Sequence, residues 1–431
     1  MPQFPKICAA LVLLGLILAG CTSYKVPDAS KIRSVSETGQ TELTVWLWPG
    51  TGLERLIAIY QQENPDLKIT VQTGEFEDVH DNLRTAFAAG YGAPDISLIE
   101  TNYIDRFKTV SSRFYNLFDY GAAGLQNVYL DWKWQQAQGV DGSFLFGLPT
   151  DIGPLAMIYR KDIFAEAGLP TDREAVARLI RTWDDLIEAG KRVKQRTGKA
   201  MFDNLGNVYR SVASQADMLY FDKYTDSFIA ERNPIVLQAW RYAADAAAGD
   251  LTAKIPSWMP EWEAGVNKGE FAVVLAPAWM MGLIKQNAPD AAGKWDIAQL
   301  PGAGGNWGGS FLTMPREGAH PEEAYQLIQW LTAPSRQLDV FVQNGNFPST
   351  PSLFDDDKIK EKKDGYFSGA PVGIIYSQAA KKVKPLYEGP YAYIATKIFN
   401  DAIWQMEHHL LSPEEAWQYA IDRTERELEQ Y

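Results

Sequence analysis

Cysteine is nearly missing from this 431-residue chain, which has two, at Cys8 and Cys21. Cys8 lies inside an apolar N-terminal run, residues 7–19, of the kind that is cleaved off, and Cys21 is then left alone. No disulfide framework and no CxxC redox or metal site can be built from one cysteine. Histidine is as scarce, with four in the chain. His408 and His409 are adjacent and no HExxH occurs, so a metal-ligand pattern is lacking. Positive charge is in deficit: 41 Lys and Arg stand against 54 Asp and Glu, a formal charge of −13. That balance disfavours nucleic acid, a polyanionic ligand or a polybasic membrane contact. Long hydrophobic runs are lacking too, because residues 7–19 fall short of the roughly 20 apolar residues that span a bilayer. No internal repeat is evident. The Gly-rich stretch 301–309 (PGAGGNWGG) has neither the GxxxxGK[ST] nor the GxGxxG order that cradles phosphate.

What is present begins with an address. Lys6 precedes the apolar run, which closes in Leu18-Ala19-Gly20-Cys21, small residues ahead of a single cysteine. Residues 1–20 therefore read as a lipoprotein signal peptide, cut before Cys21, whose thiol and new amine carry acyl chains. Residues 21–40, rich in Ser, Thr, Lys, Asp and Pro, read as a flexible tether. With 46% hydrophobic residues, the remainder has material for two domains with real cores.

Residues 41–48 (TELTVWLW) predict a strand, and Pro49-Gly50 ends it. Thr51 and Glu54 predict a capping box for a helix carrying Leu53, Leu56, Ile57 and Tyr60 on one face. A second strand carries Leu67, Ile69 and Val71. A second helix closes at Gly90, and DISLI at 95–99 is a third strand. This β-α-β-α-β order predicts a parallel sheet whose crevice lies at the strands' carboxyl ends. Residues 146–168 (FGLPTDIGPLAMIYRKDIFAEAG) combine dense turn punctuation with a continuous apolar strand, the pattern of a crossing into a second body. Beyond it, helices are predicted after Trp183 and over 234–248, strands over 271–276, 295–300 and 310–315, and a helix over 319–333. Ser412 and Glu415 cap the last helix, with Pro413 at its first position. The charge run 355–364 reads as a solvated helix face or loop.

Taken together, the lipoprotein cysteine, Trp46-Leu47-Trp48, Ala93-Pro94-Asp95-Ile96, Leu148-Pro149 with Gly153-Pro154, Ile158 to Phe164, Thr182 to Leu186, Lys268 to Ala272 with Trp279, Gly308-Gly309 and Ser412 to Ala416 resemble the family 1 extracellular solute-binding proteins. These are the maltose-type, carbohydrate-binding receptors of ABC importers. Arg160 stands where that family usually has Tyr-Asn before Lys, and 170–181 is longer than the usual link. The resemblance implies an α/β, periplasmic-binding-protein-like fold: two α/β lobes joined by two or three crossover segments, with a ligand cleft between them. Lobe I would comprise 41–150 plus 301–346, and lobe II 151–300 plus 347–431. The crossings would fall at 148–154, near 299–302 and near 346–350.

A sugar offers apolar C–H faces and a ring of hydroxyls, so its site needs flat aromatic platforms and fixed polar groups. The chain has 14 Trp and 20 Tyr to draw on. Trp48, at the crevice edge, is either a platform or a cap over the sheet. Trp279 matches the position where the family places a stacking aromatic. Trp307 in the Gly-rich loop, and Tyr387, Glu388 and Tyr391 in PLYEGPY, are further candidates, with local packing as the competing role. Asn102 and Tyr103 follow the third strand, and Asp151 within the crossing is expected to face the cleft. Glu75, Glu77 and Glu100 are weaker polar candidates, and Met280 and Met281 are core. The expected protein is a monomeric, lipid-anchored binding protein outside the cytoplasmic membrane. It would pass a neutral sugar or oligosaccharide to an ABC permease, without cofactor, metal or catalysis. Two alternatives stay open: a receptor of the same fold for a polyamine or glycerol phosphate, and a cell-surface glycosidase.

Overall fold

The computed structural model describes residues 40–431. The signal peptide, Cys21 and nearly all of the tether expected from the sequence lie outside the described residues. β1 (Thr41–Leu47) turns Leu43, Val45 and Leu47 into the core on alternate positions, as a half-buried strand must. The helix Leu53–Glu63 buries Leu53, Leu56, Ile57 and Tyr60, the expected stripe. Its cap departs from expectation. Gly52, at φ 75°, is the N-cap, and Thr51 sits one residue earlier, accepting the Leu53 N–H at 3.2 Å and donating to Glu54 at 3.2 Å. A Cβ on Gly52 would lie 2.7 Å from the Asn344 side chain, so close packing as well as the left-handed backbone requires glycine there. β2 (Leu67–Thr73), the helix Phe76–Ala89 and β3 (Ile96–Glu100) complete the opening β-α-β-α-β unit. β1 pairs parallel with both β2 and β3.

β4 (Gly147–Pro149) then leads to β5 (Leu155–Arg160). Every residue of β5 is buried, and its side chains divide between two cores. Leu155, Met157 and Tyr159 join one, Ala156 and Ile158 the other. A continuous apolar run is therefore what this central strand demands. β6 (Ala200–Phe202), β7 (Phe271–Pro277) and β8 (Trp295–Gln299) complete its sheet in the order β6-β7-β5-β8. β9 (Ser310–Thr313) returns to the first sheet, whose order is β2-β1-β3-β9-β4. The first sheet is thus mixed, where the opening unit alone predicted a parallel one. β9 arrives from the other body running against β3, and pairs antiparallel with both β3 and β4.

Three segments run side by side between the two sheets. Ile152 N–H donates to Phe347 O at 2.8 Å, and Trp307 N–H donates to Gly153 O at 2.7 Å. Gly153 has no room for a side chain, since a Cβ would come within 1.7 Å of Trp307 O. The C-terminal helices Ala392–Glu407 and Pro413–Leu428 pack on the second sheet's side through Phe399, Ile403, Met406, Ala420 and Ile421. The expected Ser412–Glu415 capping box is formed, as is one between Thr182 and Asp185 at the start of the helix Trp183–Thr197. Among the described residues no helix is long and apolar enough to cross a membrane, and no cluster of His, Cys, Asp or Glu could hold a metal.

Candidate ligand-binding cleft

Between the sheets lies a cleft of about 760 Å3. One wall is built at the carboxyl end of β3, where the helix Thr101–Lys108 starts with Glu100 as its N-cap. The Glu100 carboxylate accepts the Asn102 N–H at 2.7 Å, which fixes the first turn and presents Asn102, Tyr103 and Arg106 to the cleft. Tyr103 lies flat on His80, with ring centroids 3.9 Å apart. Phe76 completes the aromatic face, and Trp48 supports it from behind, 5.1 Å from Phe76 and 5.2 Å from His80. Burial holds the His80 imidazole down at about 4. The ring is neutral, with Nδ1–H donating to Phe76 O at 2.8 Å and Nε2 accepting the Glu100 N–H at 3.1 Å.

The opposite wall comes from the helix Leu205–Ala213, the 306–307 loop and the 384–393 segment. Tyr209 and Arg210 project from the helix, and the Arg210 guanidinium lies 4.4 Å from the Trp307 ring centroid. Two contacts tie the walls together. Asp105 accepts the N–H groups of Glu388 and Gly389 at 2.9 and 3.2 Å, and the Arg106 guanidinium sits 3.9 Å above the Tyr393 ring. Burial pushes the Glu388 carboxyl well above the usual carboxylate range, and Asp105 and Glu100 add to the rise. Among the described residues, Gln136 Oε1 and Tyr209 Oη, both on cleft-lining residues, are buried without a hydrogen-bond partner, an arrangement that favours an incoming hydroxyl or N–H.

Behind the cleft lies a buried ionic group. Lys133 Nζ donates to Thr101 Oγ1 at 2.5 Å and lies 4.0 Å from the Phe311 ring. Burial raises the Glu100 carboxyl and lowers the Lys133 ammonium; the attraction between them opposes both shifts, while Asp151 opposes the Lys133 shift and adds to the Glu100 rise.

Of the residues singled out in the sequence, Asn102, Tyr103, Trp307 and Glu388 line the cleft together, as does Glu77 among the weaker polar candidates. Trp48 stands one layer back. Asp151 does not turn into the cleft as expected. Its carboxylate accepts from Ser310 N at 3.0 Å, Thr150 Oγ1 at 2.7 Å and Asn346 Nδ2 at 3.4 Å, so it pins the three crossing segments. Trp279 donates its Nε1–H to Trp307 O at 3.2 Å and stacks on Trp258 at 5.8 Å, placing it behind Trp307. Tyr387 bonds Asp226 through its hydroxyl, and Tyr391 packs against Phe221 and Tyr431. Phe76, Gln136, Tyr209, Arg210, Asn306 and Tyr393 line the cleft without having been singled out. Asn306 and Tyr393 neighbour flagged residues, whereas Gln136, Tyr209 and Arg210 sit within helices and carry no motif.

The sequence pattern of the bacterial extracellular solute-binding proteins matches residues 55–366. The chain belongs to that family. This solute-binding protein is similar to a crystal structure described as extracellular solute-binding protein family 1, at 34% identity and a TM-score of 0.85, covering 90% of this chain and 99% of that one. It is 27% identical to the arabinooligosaccharide-binding protein of Halalkalibacterium halodurans, over 91% of each chain. The fold is shared with the ABC transporter associated binding protein from B. animalis subsp. lactis Bl-04 solved in complex with beta-1,6-galactobiose, at 24% identity and a TM-score of 0.72, covering 90% and 98% of the two chains. As a member of this family, the protein is an extracytoplasmic solute-binding component of an ABC importer.

Proposed function

We propose that this solute-binding protein captures a sugar or short oligosaccharide between its two lobes and hands it to a membrane permease, with no covalent change to the ligand. The observation that carries this is the composition of the cleft. Tyr103 and Phe76 face it from one wall and Trp307 and Tyr393 from the other, with unpartnered polar atoms on Gln136 and Tyr209 between them. Flat faces suit sugar C–H surfaces, and buried polar atoms without partners suit hydroxyls. The volume falls within the roughly 300–1,000 Å3 of small-ligand sites. Relatives named for arabinooligosaccharide and lactose binding support carbohydrate as the class. The lobes would be 41–150 with 301–346, and 151–300 with 347–431, rotating about the crossing segments. Asn102, Tyr103, Trp307 and Glu388 would touch ligand, with Trp279 acting through Trp307. The protein would work as a monomer held to the membrane by acyl chains on Cys21.

Thermal-shift and tryptophan-fluorescence titration of the mature protein tests the ligand class. A saccharide among arabino-, galacto- and gluco-oligomers should raise the melting temperature. A response to spermidine or glycerol phosphate alone would overturn the assignment, and release of reducing ends would overturn the non-enzymatic role. Cys21→Ala should move the protein from the membrane to the soluble fraction, and continued membrane retention would contradict the anchor.

A further inference from the structure

The cleft is charged against the sign of the molecule. The chain carries −13 overall, yet Arg84, Arg106, Arg210, Lys384 and Lys397 line the cleft against Glu77, Asp81 and Glu388. Asp81 is already paired with Arg84 at 2.9 Å. Among the described residues, the other four cations have no carboxylate oxygen within 4.0 Å. Arg106 and Arg210 instead lie over the rings of Tyr393 and Trp307, at 3.9 and 4.4 Å. Each wall therefore offers a guanidinium laid against an aromatic ring: Arg106, from the body of the first sheet, against Tyr393 across the cleft, and Arg210, from that of the second, against Trp307 on its own wall.

Even half-buried, as Arg210 is, a guanidinium without a counter-charge is costly to desolvate. Glu100, Glu388 and Asp203 attract Arg210 from beyond ion-pair distance, and among the described residues its forked N–H donors meet no acceptor. The helix Ala392–Glu407 adds to the same field. It has no side-chain cap, and Gly389, Pro390 and Ala392 at its start line the cleft, so its positive end faces the ligand space.

We propose that the solute is an acidic saccharide, a sugar or short oligosaccharide bearing a carboxylate of the uronic acid type, with Arg210 as the carboxylate-pairing residue. This rests on the carbohydrate reading above and narrows it. A planar carboxylate matches the guanidinium fork in bidentate fashion while the attached ring lies along Trp307. Rim residues Lys384 and Lys397 would draw the anion inward against the molecule's overall negative field.

The test is isothermal titration of the mature protein with digalacturonate, galactobiose and glucose 6-phosphate, each at low and high salt. Digalacturonate should bind about tenfold or more tighter than galactobiose, and added salt should erode that preference. Arg210→Gln should abolish the preference at an unchanged circular-dichroism spectrum. If that variant does not fold, Arg106→Gln should reduce the preference, and the wild-type comparison still decides. Equal or tighter binding of galactobiose would overturn the acidic-saccharide inference and leave the carbohydrate reading intact. Binding of glucose 6-phosphate above digalacturonate would overturn the carboxylate. No response to any of these or to other saccharides would overturn the carbohydrate reading itself.

Discussion

Gly153 and His80 show how single residues decide the architecture around the cleft. At Gly153 a methyl group would lie 1.7 Å from Trp307 O, within the contact that joins two crossing segments. Gly153→Ala should therefore cost about 1–3 kcal/mol or more, because backbone cannot move aside as a flexible side chain would. An unchanged urea midpoint would contradict this. His80 is neutral in the folded state, its imidazole held at about 4 by burial. An unfolded chain returns it to about 6.5, so between those values the unfolded state binds more protons. Its contribution to stability is complete above about 6.5 and is lost as the pH falls toward 4, by at most about 1.4 kcal/mol per pH unit. NMR titration of the His80 ring should give a midpoint near 4, and a midpoint near 6.5 would contradict the packing described.

Among the elements, the 384–393 segment of one wall is tied to the other wall by Asp105. Its carboxylate holds the Glu388 and Gly389 N–H groups and pairs with Lys108 at 2.7 Å. Hydrogen bonds to a charged group contribute about 1.5–3 kcal/mol. Asp105→Ala should therefore weaken ligand binding about tenfold or more, by removing support for the closed arrangement. Small-angle scattering of the free variant should show a larger radius of gyration, and identical scattering and affinity would refute the latch. A simpler element-level test is Thr182→Ala, which breaks the capping box at Trp183–Thr197 and should cost about 1 kcal/mol in thermal or urea unfolding. Caps and strands of this kind were legible in the sequence because their signals are local. The apolar run that opens β5, the Ser412 box and the helix Pro234–Ala248 fall where periodicity and punctuation put them, whereas the box expected at Thr51 gives way to a Gly52 cap and the one at Thr182 was not anticipated. The parallel pairing expected of β1, β2 and β3 is present, but the antiparallel β9 comes from beyond the second sheet, and no local pattern reports that. The same holds for the cleft. Arg210 in sequence is one charge on a helix, and only the return of the chain nearly a hundred residues later lays Trp307 against it. Asp151 was visible as a polar residue in a crossing, but whether it bonds ligand or backbone depends on where Ser310 and Asn346 come to lie.

For the whole molecule, two sheets with separate cores meet along three crossing segments, and the space between them is lined by aromatic faces, cations and orphaned polar atoms. Such an arrangement binds by enclosing its ligand, and occupancy should stabilise the native state by about 2.7 kcal/mol at a ligand concentration a hundred times Kd. Tyr209 and Gln136 would then lose their status as buried atoms without partners. The central claim is that an unaltered saccharide fills this space. Calorimetric titration of the mature protein with a panel of neutral and acidic oligosaccharides tests it most directly. One-to-one binding of at least one saccharide, recovered chemically intact, is the predicted result. A panel that gives no binding heat while a polyamine or glycerol phosphate binds, or any saccharide recovered cleaved, would contradict it.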